Sequence, residues 1–372
     1  MKALKRIFSF KVRKKLNGEY LVSLIVSVVL ALLVGALIMA LSGHNPVAGY
    51  GAMLKGALST QRALGDTLAK SATLCLTGLA MAIAAQAGIF NVGGEGQLYL
   101  GAMASAIVGG YLVGWPAWVV IPLALLAAIV AGGLFALLPA WLKVRLKVNE
   151  VITTIMLNSV AIYFCKYLAN GPLKTSERGI SAGTVKIGAA FAFDKVINLS
   201  NLTNSIFLSA GIALFIWYLM KRSTVGYEMK LTGENERFAR YMGIKSEQLA
   251  LVAMLISGAI CGLVGMFEVF GIHKRFVEAV SNEFYYDGML VAMIMRYDPI
   301  GIILMSLFFG VLKIGATGME QTGIPSETVL IVQSIIIFFM AAESGIAASL
   351  KEKAVRRRAR RESAAMVGKG DA

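Results

Sequence analysis

A chain of 372 residues that is 57% hydrophobic and only 15% charged is not a soluble globular domain, in which about 25% of residues are charged. Its mean hydropathy of +0.72 points to the lipid bilayer as its surroundings. The net charge of +15 does not mark a nucleic-acid partner. The basic residues gather in 1–19, 143–147, 221–245 and 351–361, beside apolar runs, as they do in the cytoplasmic loops of helical membrane proteins.

The first apolar run, Tyr20–Leu41, holds 22 uncharged residues, roughly 33 Å as a helix and enough to span. A secretory signal would have an apolar region of about 7–15 residues and a small-residue cleavage site, so a retained helix is expected. Nine further runs follow: Leu68–Ala87, Leu98–Val113, Ala117–Trp141, Val151–Ala169, Thr203–Met220, Leu249–Phe270, Phe284–Met295, Ile300–Thr317 and Thr328–Gly345. The eighth, Phe284–Met295, is too short to cross alone and reads as a half-helix continued by the polar stretch Val277–Glu283. The expected fold is therefore an all-α polytopic membrane protein of about ten transmembrane helices. The even count puts both basic termini, 1–19 and 348–372, in the cytoplasm. Between them a transmembrane domain occupies 20–347, with 170–202 as an external loop that has room for a short surface helix or hairpin, and 221–248 as the longest internal cytoplasmic segment.

Between the second and third runs lies Gly88–Gln97, GIFNVGGEGQ. The two runs hold one charge, Lys70. Helix-breaking polar backbone at membrane depth is tolerated only where it is buried in protein or lines a cavity, and an ionisable residue there is a functional hypothesis by default. Gly88, Gly93, Gly94 and Gly96 allow tight backbone and close helix approach, and Glu95 suits a helix N-terminus. Asn91, Glu95 and Gln97 either cap two half-helices or contact a substrate. A second polar-headed short run, Asn282–Met295, makes a pair with it, and paired interruptions point to inverted-repeat halves around a midplane site. At its head, Tyr285, Tyr286 and Asp287 either stack on a flat ring or form an interfacial belt. Asn158, two turns into KVNEVITTIMLNS behind Asn149 and Glu150, needs a partner in an apolar helix, whether another helix or a substrate.

The cytoplasmic stretch STVGYEMKLTGENERFARYMGIKSEQ is cut by Gly226, Gly233 and Gly243 into short amphipathic pieces. Thr232–Asn235 reads as a turn into a helix with acids in its first turn, followed by Arg237 and Arg240. Such a piece fits a groove on a partner; the alternative is a solvated loop beneath the bundle. Cys75, Cys165 and Cys261 all lie in apolar runs and suggest neither a disulfide nor a metal site. No metal-ligand spacing, nucleophile elbow or phosphate-binding loop occurs, so the chain is not expected to be an enzyme or to hydrolyse ATP.

GIFNVGGEGQ, NEVITTIMLN, TVGYEMKLTGENERFARYMGI and DGMLVAMIMRYDPIGIILMSLFFGVL, in that order, resemble the permease subunits of ABC importers for ribose, branched-chain amino acids and nucleosides. The likeness covers about Leu68–Phe339, and its glycine and NEV segments look closest to the nucleoside permeases. The resemblance implies a multi-pass cytoplasmic-membrane protein beside a second permease (or its own copy), a cytoplasmic ATPase carrying ATP and Mg, and an extracellular substrate-binding lipoprotein. It implies that Gly233, Glu234, Asn235 and Arg237 belong to the coupling helix, with Gly226, Arg240 and Gly243 in the same segment. It also implies that Asn91, Glu95 and Gln97 border the translocation path. A neutral nucleoside needs amides and rings more than fixed charge, which Asn91, Gln97, Asn158 and Tyr285 supply, with Asp287 beside them; a sugar's hydroxyls would be met equally well. Permeation of sugars or branched-chain amino acids is the alternative. An ion-coupled secondary carrier is disfavoured by the few intramembrane carboxylates (Glu95, Glu268, Asp287) and by the docking piece, and a scaffold or simple channel by the polar interruptions.

Overall fold

The computed structural model describes residues 18–176 and 183–342. The basic segment 1–19, but for its last two residues, and the tail 348–372 lie outside the described residues. In chain order the helices are α1 (Gly18–Leu41), α2 (Pro46–Leu58), α3 (Gln61–Gln86), α4 (Gly94–Tyr111), α5 (Ala117–Leu146), α6 (Glu150–Asn170), α7 (Ser205–Arg222), α8 (Thr224–Glu234), α9 (Glu236–Tyr241), α10 (Ser246–Phe267), α11 (Phe284–Ile294), α12 (Pro299–Glu320) and α13 (Ser326–Ala341). A π-helical turn, Glu268–His273, extends α10. Seven of these helices are long and apolar enough to cross a membrane. Each of the ten apolar runs carries a helix; α2, only 13 residues, matches none of them.

The chain forms two compact units. The larger takes in residues 54–315. Its α3 is the central helix, with every residue from Leu74 to Ala85 buried. Helices α4, α5 and α10 meet backbone to backbone: a Cβ added to Gly132 of α5 would lie 2.3 Å from the Gly258 carbonyl of α10, and one on Gly101 of α4 would lie 2.3 Å from the Gly262 Cα. Membrane helices gain little from a hydrophobic drive between them, so close approach of small residues supplies the dispersion contact. Helices α6 and α7 sit at the edge and expose Ile152, Met156, Tyr163, Phe207, Leu214 and Phe215, as a lipid-facing surface would.

Polar caps set the helix starts. Thr60 accepts from the Ala63 amide at 3.1 Å, Asn149 from Val151 at 2.9 Å, Ser223 from Gly226 at 3.0 Å, and Asn235 from Phe238 at 3.1 Å, each satisfying an amide that the helix leaves open. The loop from 170 to 202, described outside 177–182, reverses near its end through an antiparallel bridge between Lys195 and Thr203. It has one 3-10 turn, Ala189–Phe191, and is anchored by Ile187 and Phe191, both buried. The stretch Val277–Glu283 is turn and bend rather than helix, and α11 begins abruptly at Glu283 in a left-handed conformation (φ 60°).

The smaller unit joins residues 18–53 to 316–342 among those described. Here α1 lies against α13: the Gly35 position faces the Tyr50 hydroxyl and Val332, and that hydroxyl donates to the Leu32 carbonyl at 2.8 Å.

Candidate functional site

Helix α3 stops where Gly88 turns left-handed (φ +79°); the Gly88 amide donates to Ala85 O at 3.1 Å and that of Ile89 to Ala84 O at 3.0 Å, closing the helix end as a left-handed cap does. The chain then crosses to α4 through buried, non-helical residues. Asn91 is fully enclosed and Gln97 nearly so. The Asn91 amide nitrogen donates to Gln97 Oε1 at 3.0 Å and to Ser257 Oγ at 2.9 Å. Its oxygen accepts from the Gly93 amide at 2.9 Å and from Gln97 Nε2 at 3.2 Å. In this arrangement both amides are occupied by protein, as buried polar groups generally are.

The second interruption docks onto the first. Glu95, 3% exposed, accepts from the Tyr285 amide at 3.1 Å, placing a carboxylate at the N-terminus of α11. The Tyr285 hydroxyl donates to the Asn91 carbonyl. The Tyr285 ring packs so closely on Gly94 that an added Cβ would lie 2.0 Å from it. Tyr285 is wholly buried, which removes it from an interfacial belt; Tyr286 is half-buried. Asn158 joins both segments: it donates to Val92 O at 2.7 Å and Tyr286 Oη at 3.0 Å, and accepts from the Gly96 amide at 2.8 Å. Gly96 is glycine for the same contact, since a Cβ would lie 2.9 Å from Ala161 and 3.0 Å from Asn158. Four of the six candidate path residues, Asn91, Glu95, Gln97 and Tyr285, are thus joined by direct hydrogen bonds, and Asn158 is tied to the same segments through Val92, Gly96 and Tyr286. Asp287 does not join them, and pairs with Lys313 at 2.8 Å instead.

At the end of α3 the break touches the segment 221–248. A Cβ on Gly233 would lie 2.3 Å from the Gln86 carbonyl and 3.1 Å from the Gly88 amide nitrogen. The Gly88 carbonyl accepts from Lys143 Nζ at 2.7 Å, and Lys143 also holds Glu150 at 2.6 Å. Gln86 Nε2 donates to Tyr297 O at 3.2 Å, and burial pushes the Tyr297 phenol above its ordinary pKa. A cleft of about 480 Å³ opens here between Gly88, Lys143, Glu150, Gly233 and Glu247. Elsewhere in the segment, Gly226 lets α8 turn back on α7, its missing Cβ being 2.1 Å from Leu219 O. Glu234, Asn235 and Arg237 are exposed, Arg240 pairs with Glu236 at 2.7 Å and Glu247 at 3.1 Å, and Gly243 makes a left-handed turn in open space. Phe238, Tyr241 and Met242 project outward, 49%, 91% and 65% exposed.

The family model described as branched-chain amino acid transport system / permease component matches residues 63–341, about three-quarters of the chain and all of the site above. The chain belongs to this family. It is a multi-pass permease of the cell membrane. The permease is 35% identical over 329 residues to the guanosine ABC transporter permease protein NupP of Bacillus subtilis, covering 87% of this chain and 93% of that one. It is 33% identical to the nucleoside ABC transporter permease protein NupB of Lactococcus lactis, covering 89% and 94%. To a glucose ABC transporter permease protein of Haloferax volcanii it is 31% identical, covering 85% and 86%.

Several partners in the site carry no sequence signal of their own. Ser257 and Thr154 sit in apolar helices where hydroxyls commonly bond their own backbone, and only the fold brings Ser257 to Asn91 and the Thr154 hydroxyl to the Val92 amide at 3.3 Å. Lys143 reads as one more basic flank. Its contact with a carbonyl 55 residues away is tertiary information.

Proposed function

We propose that the permease translocates nucleosides as the membrane subunit of an ATP-driven importer. The observation that carries this reading is the near end-to-end match to relatives named as nucleoside permeases, with the paired amides of the break at its centre. An ABC ATPase holding ATP and Mg docks on α8–α9, where Phe238, Tyr241 and Met242 form an exposed apolar patch on a charged surface, the usual mark of an interaction site. A second permease, homologous or identical, completes the path, an external lipoprotein delivers substrate, and both termini lie in the cytoplasm.

On this reading, movement of α8–α9 is passed by Gly233 onto Gln86 and Gly88. From there it reaches Asn91, Gln97, Asn158 and Tyr285, whose hydrogen bonds exchange between one another and the substrate as the break opens. Amides and phenols suit that exchange because a neutral solute offers matching donors and acceptors without the desolvation cost of a fixed charge.

The 31% identity to a glucose permease favours a sugar as the second reading. Purification of the tagged chain from its native membrane in mild detergent tests both. Recovery of an ATPase, a second permease and a lipoprotein that binds nucleosides is the expected result; a lipoprotein that binds only sugars promotes the second reading. Recovery of the chain alone, with uptake in vesicles lacking ATP, overturns both in favour of a secondary carrier.

A further inference from the structure

Four charged side chains meet inside the larger unit, away from the amide group. Lys313 Nζ lies 2.8 Å from Asp287 Oδ2. Thr73 Oγ1 donates to Glu268 Oε1 at 3.2 Å. Lys70 Nζ stands 3.6 Å above the Phe284 ring, within electrostatic reach of Glu268, Asp287 and Lys313. Glu268 opens the π-helical turn, a departure from α-geometry that occurs frequently at functional sites.

Their depth and direction decide what they face. Lys70 is nine residues into α3 from Gln61, about 14 Å along the axis, and Lys313 is fourteen residues into α12, about 21 Å. Leu64 and Leu68 expose their side chains on α3, as do Ile300, Leu304 and Leu307 on α12. At about 100° per residue, Lys70 lies roughly 120–160° and Lys313 roughly 120–180° round the helix from the residues of those stripes. Both remain half-buried, and the Lys313 side chain is 32% exposed. A partly exposed ammonium at membrane depth, turned away from the lipid-facing stripe, belongs to a watered cavity or the interior of an assembly.

The four formal charges cancel, so the cluster has no net attraction for an anion or a cation. Two ammoniums donate and two carboxylates accept, which matches a neutral solute carrying adjacent hydroxyls. Tyr286, next to Asp287 and held by Asn158, links the cluster to the amide group. We infer that Lys70, Glu268, Asp287 and Lys313 line the translocation path on the side away from the coupling segment and hydrogen-bond the ribose hydroxyls of the passing nucleoside. This rests on the nucleoside reading above.

The test uses the whole transporter in native membranes with Lys313→Cys and, separately, Lys70→Cys. The native cysteines are buried and give a low background. A cationic, membrane-impermeant methanethiosulfonate is applied from outside, with or without the four ribonucleosides, and with the four free bases as the ribose-free control. The expected result is modification slowed about tenfold by nucleosides present at roughly ten times their Kd, since an occupied site is shielded in proportion to 1 + [L]/Kd, and not by the bases. No modification of either thiol, or modification that the nucleosides leave unchanged while the same membranes import them, overturns the proposal. Wild-type membranes that import no nucleoside, together with thiol variants whose modification is slowed by ribose or glucose, sink the nucleoside reading and keep the cluster on the path. Should the thiol variants fail to assemble, the KM of uptake in Asp287→Asn decides. It rises about tenfold with the amount of assembled transporter unchanged if the cluster binds substrate, whereas a purely structural pair lowers the amount of assembled transporter and leaves KM unmoved.

Discussion

Gly233→Ala perturbs the contact between the coupling segment and the helix break by one methyl group. Its Cβ would fall 2.3 Å from the Gln86 carbonyl oxygen, and Cβ contacts in proteins essentially never undercut 3.0 Å. The two backbones must therefore separate by at least about 0.7 Å. Neither yields easily: Gln86 is tied to Tyr297 and the Gly88 carbonyl to Lys143, and a carbonyl cannot rotate away as a side-chain tip can. Such overpacking costs about 1–3 kcal/mol, which as a change in coupling corresponds to roughly 5- to 150-fold. The docking patch of Phe238, Tyr241 and Met242 is untouched. In proteoliposomes holding the complete transporter, the ATPase is expected to remain bound while nucleoside moved per ATP hydrolysed falls at least about fivefold. Gly211→Ala on α7, where an added Cβ meets nothing within 4 Å, is the control and should leave the ratio unchanged. A wild-type ratio in Gly233→Ala refutes this contact as the point of transmission.

Asn91→Leu leaves Gln97, Ser257 and the Gly93 amide short of a buried partner, and is expected to lower the thermal stability of the detergent-solubilised permease by about 2–4 kcal/mol. Wild-type stability with uptake abolished would instead assign Asn91 to substrate contact alone. Asn158→Leu orphans Val92 O and Gly96 N; because interhelical hydrogen bonds in membranes average only about 0.6 kcal/mol, a smaller loss of about 1–3 kcal/mol is expected, read as a lower melting midpoint on size-exclusion after heating. Glu234→Lys with Arg237→Glu reverses two exposed charges that have no part in the core. The bundle is expected to stay folded while ATPase co-purification weakens, and undiminished co-purification together with normal uptake would remove the docking assignment.

Much of this architecture is written in local chemistry. Apolar runs flanked by basic clusters locate the helices, α3 excepted at its start seven residues ahead of its run, because bilayer thickness fixes helix length and the cost of an unpaired amide in lipid forbids most alternatives. The glycines and amides of GIFNVGGEGQ mark the break, and Thr232–Asn235 marks the start of α9. Helix α2 escaped this logic because 13 residues with a lysine are neither long enough nor apolar enough to register. The start of α11 matches its run, but the polar stretch before it escaped this logic, because it does not continue the helix and is held by contacts distant in sequence such as that of the Tyr99 hydroxyl to Glu278 O.

What only the tertiary structure decided is which polar groups meet. Asn91 and Ser257 are 166 residues apart in sequence, and Glu95 and Tyr285 are 190 apart. No local pattern specifies either pairing, since it arises from how α3, α4, α10 and α11 pack. The same packing buries Tyr285 against Gly94, sets Gly233 on Gln86, and gathers Lys70, Glu268, Asp287 and Lys313 from four elements. Single residues and their spacing identify a polar break in a membrane helix. The closeness of backbone approach, set by glycines on both sides of each contact, determines what that break is connected to.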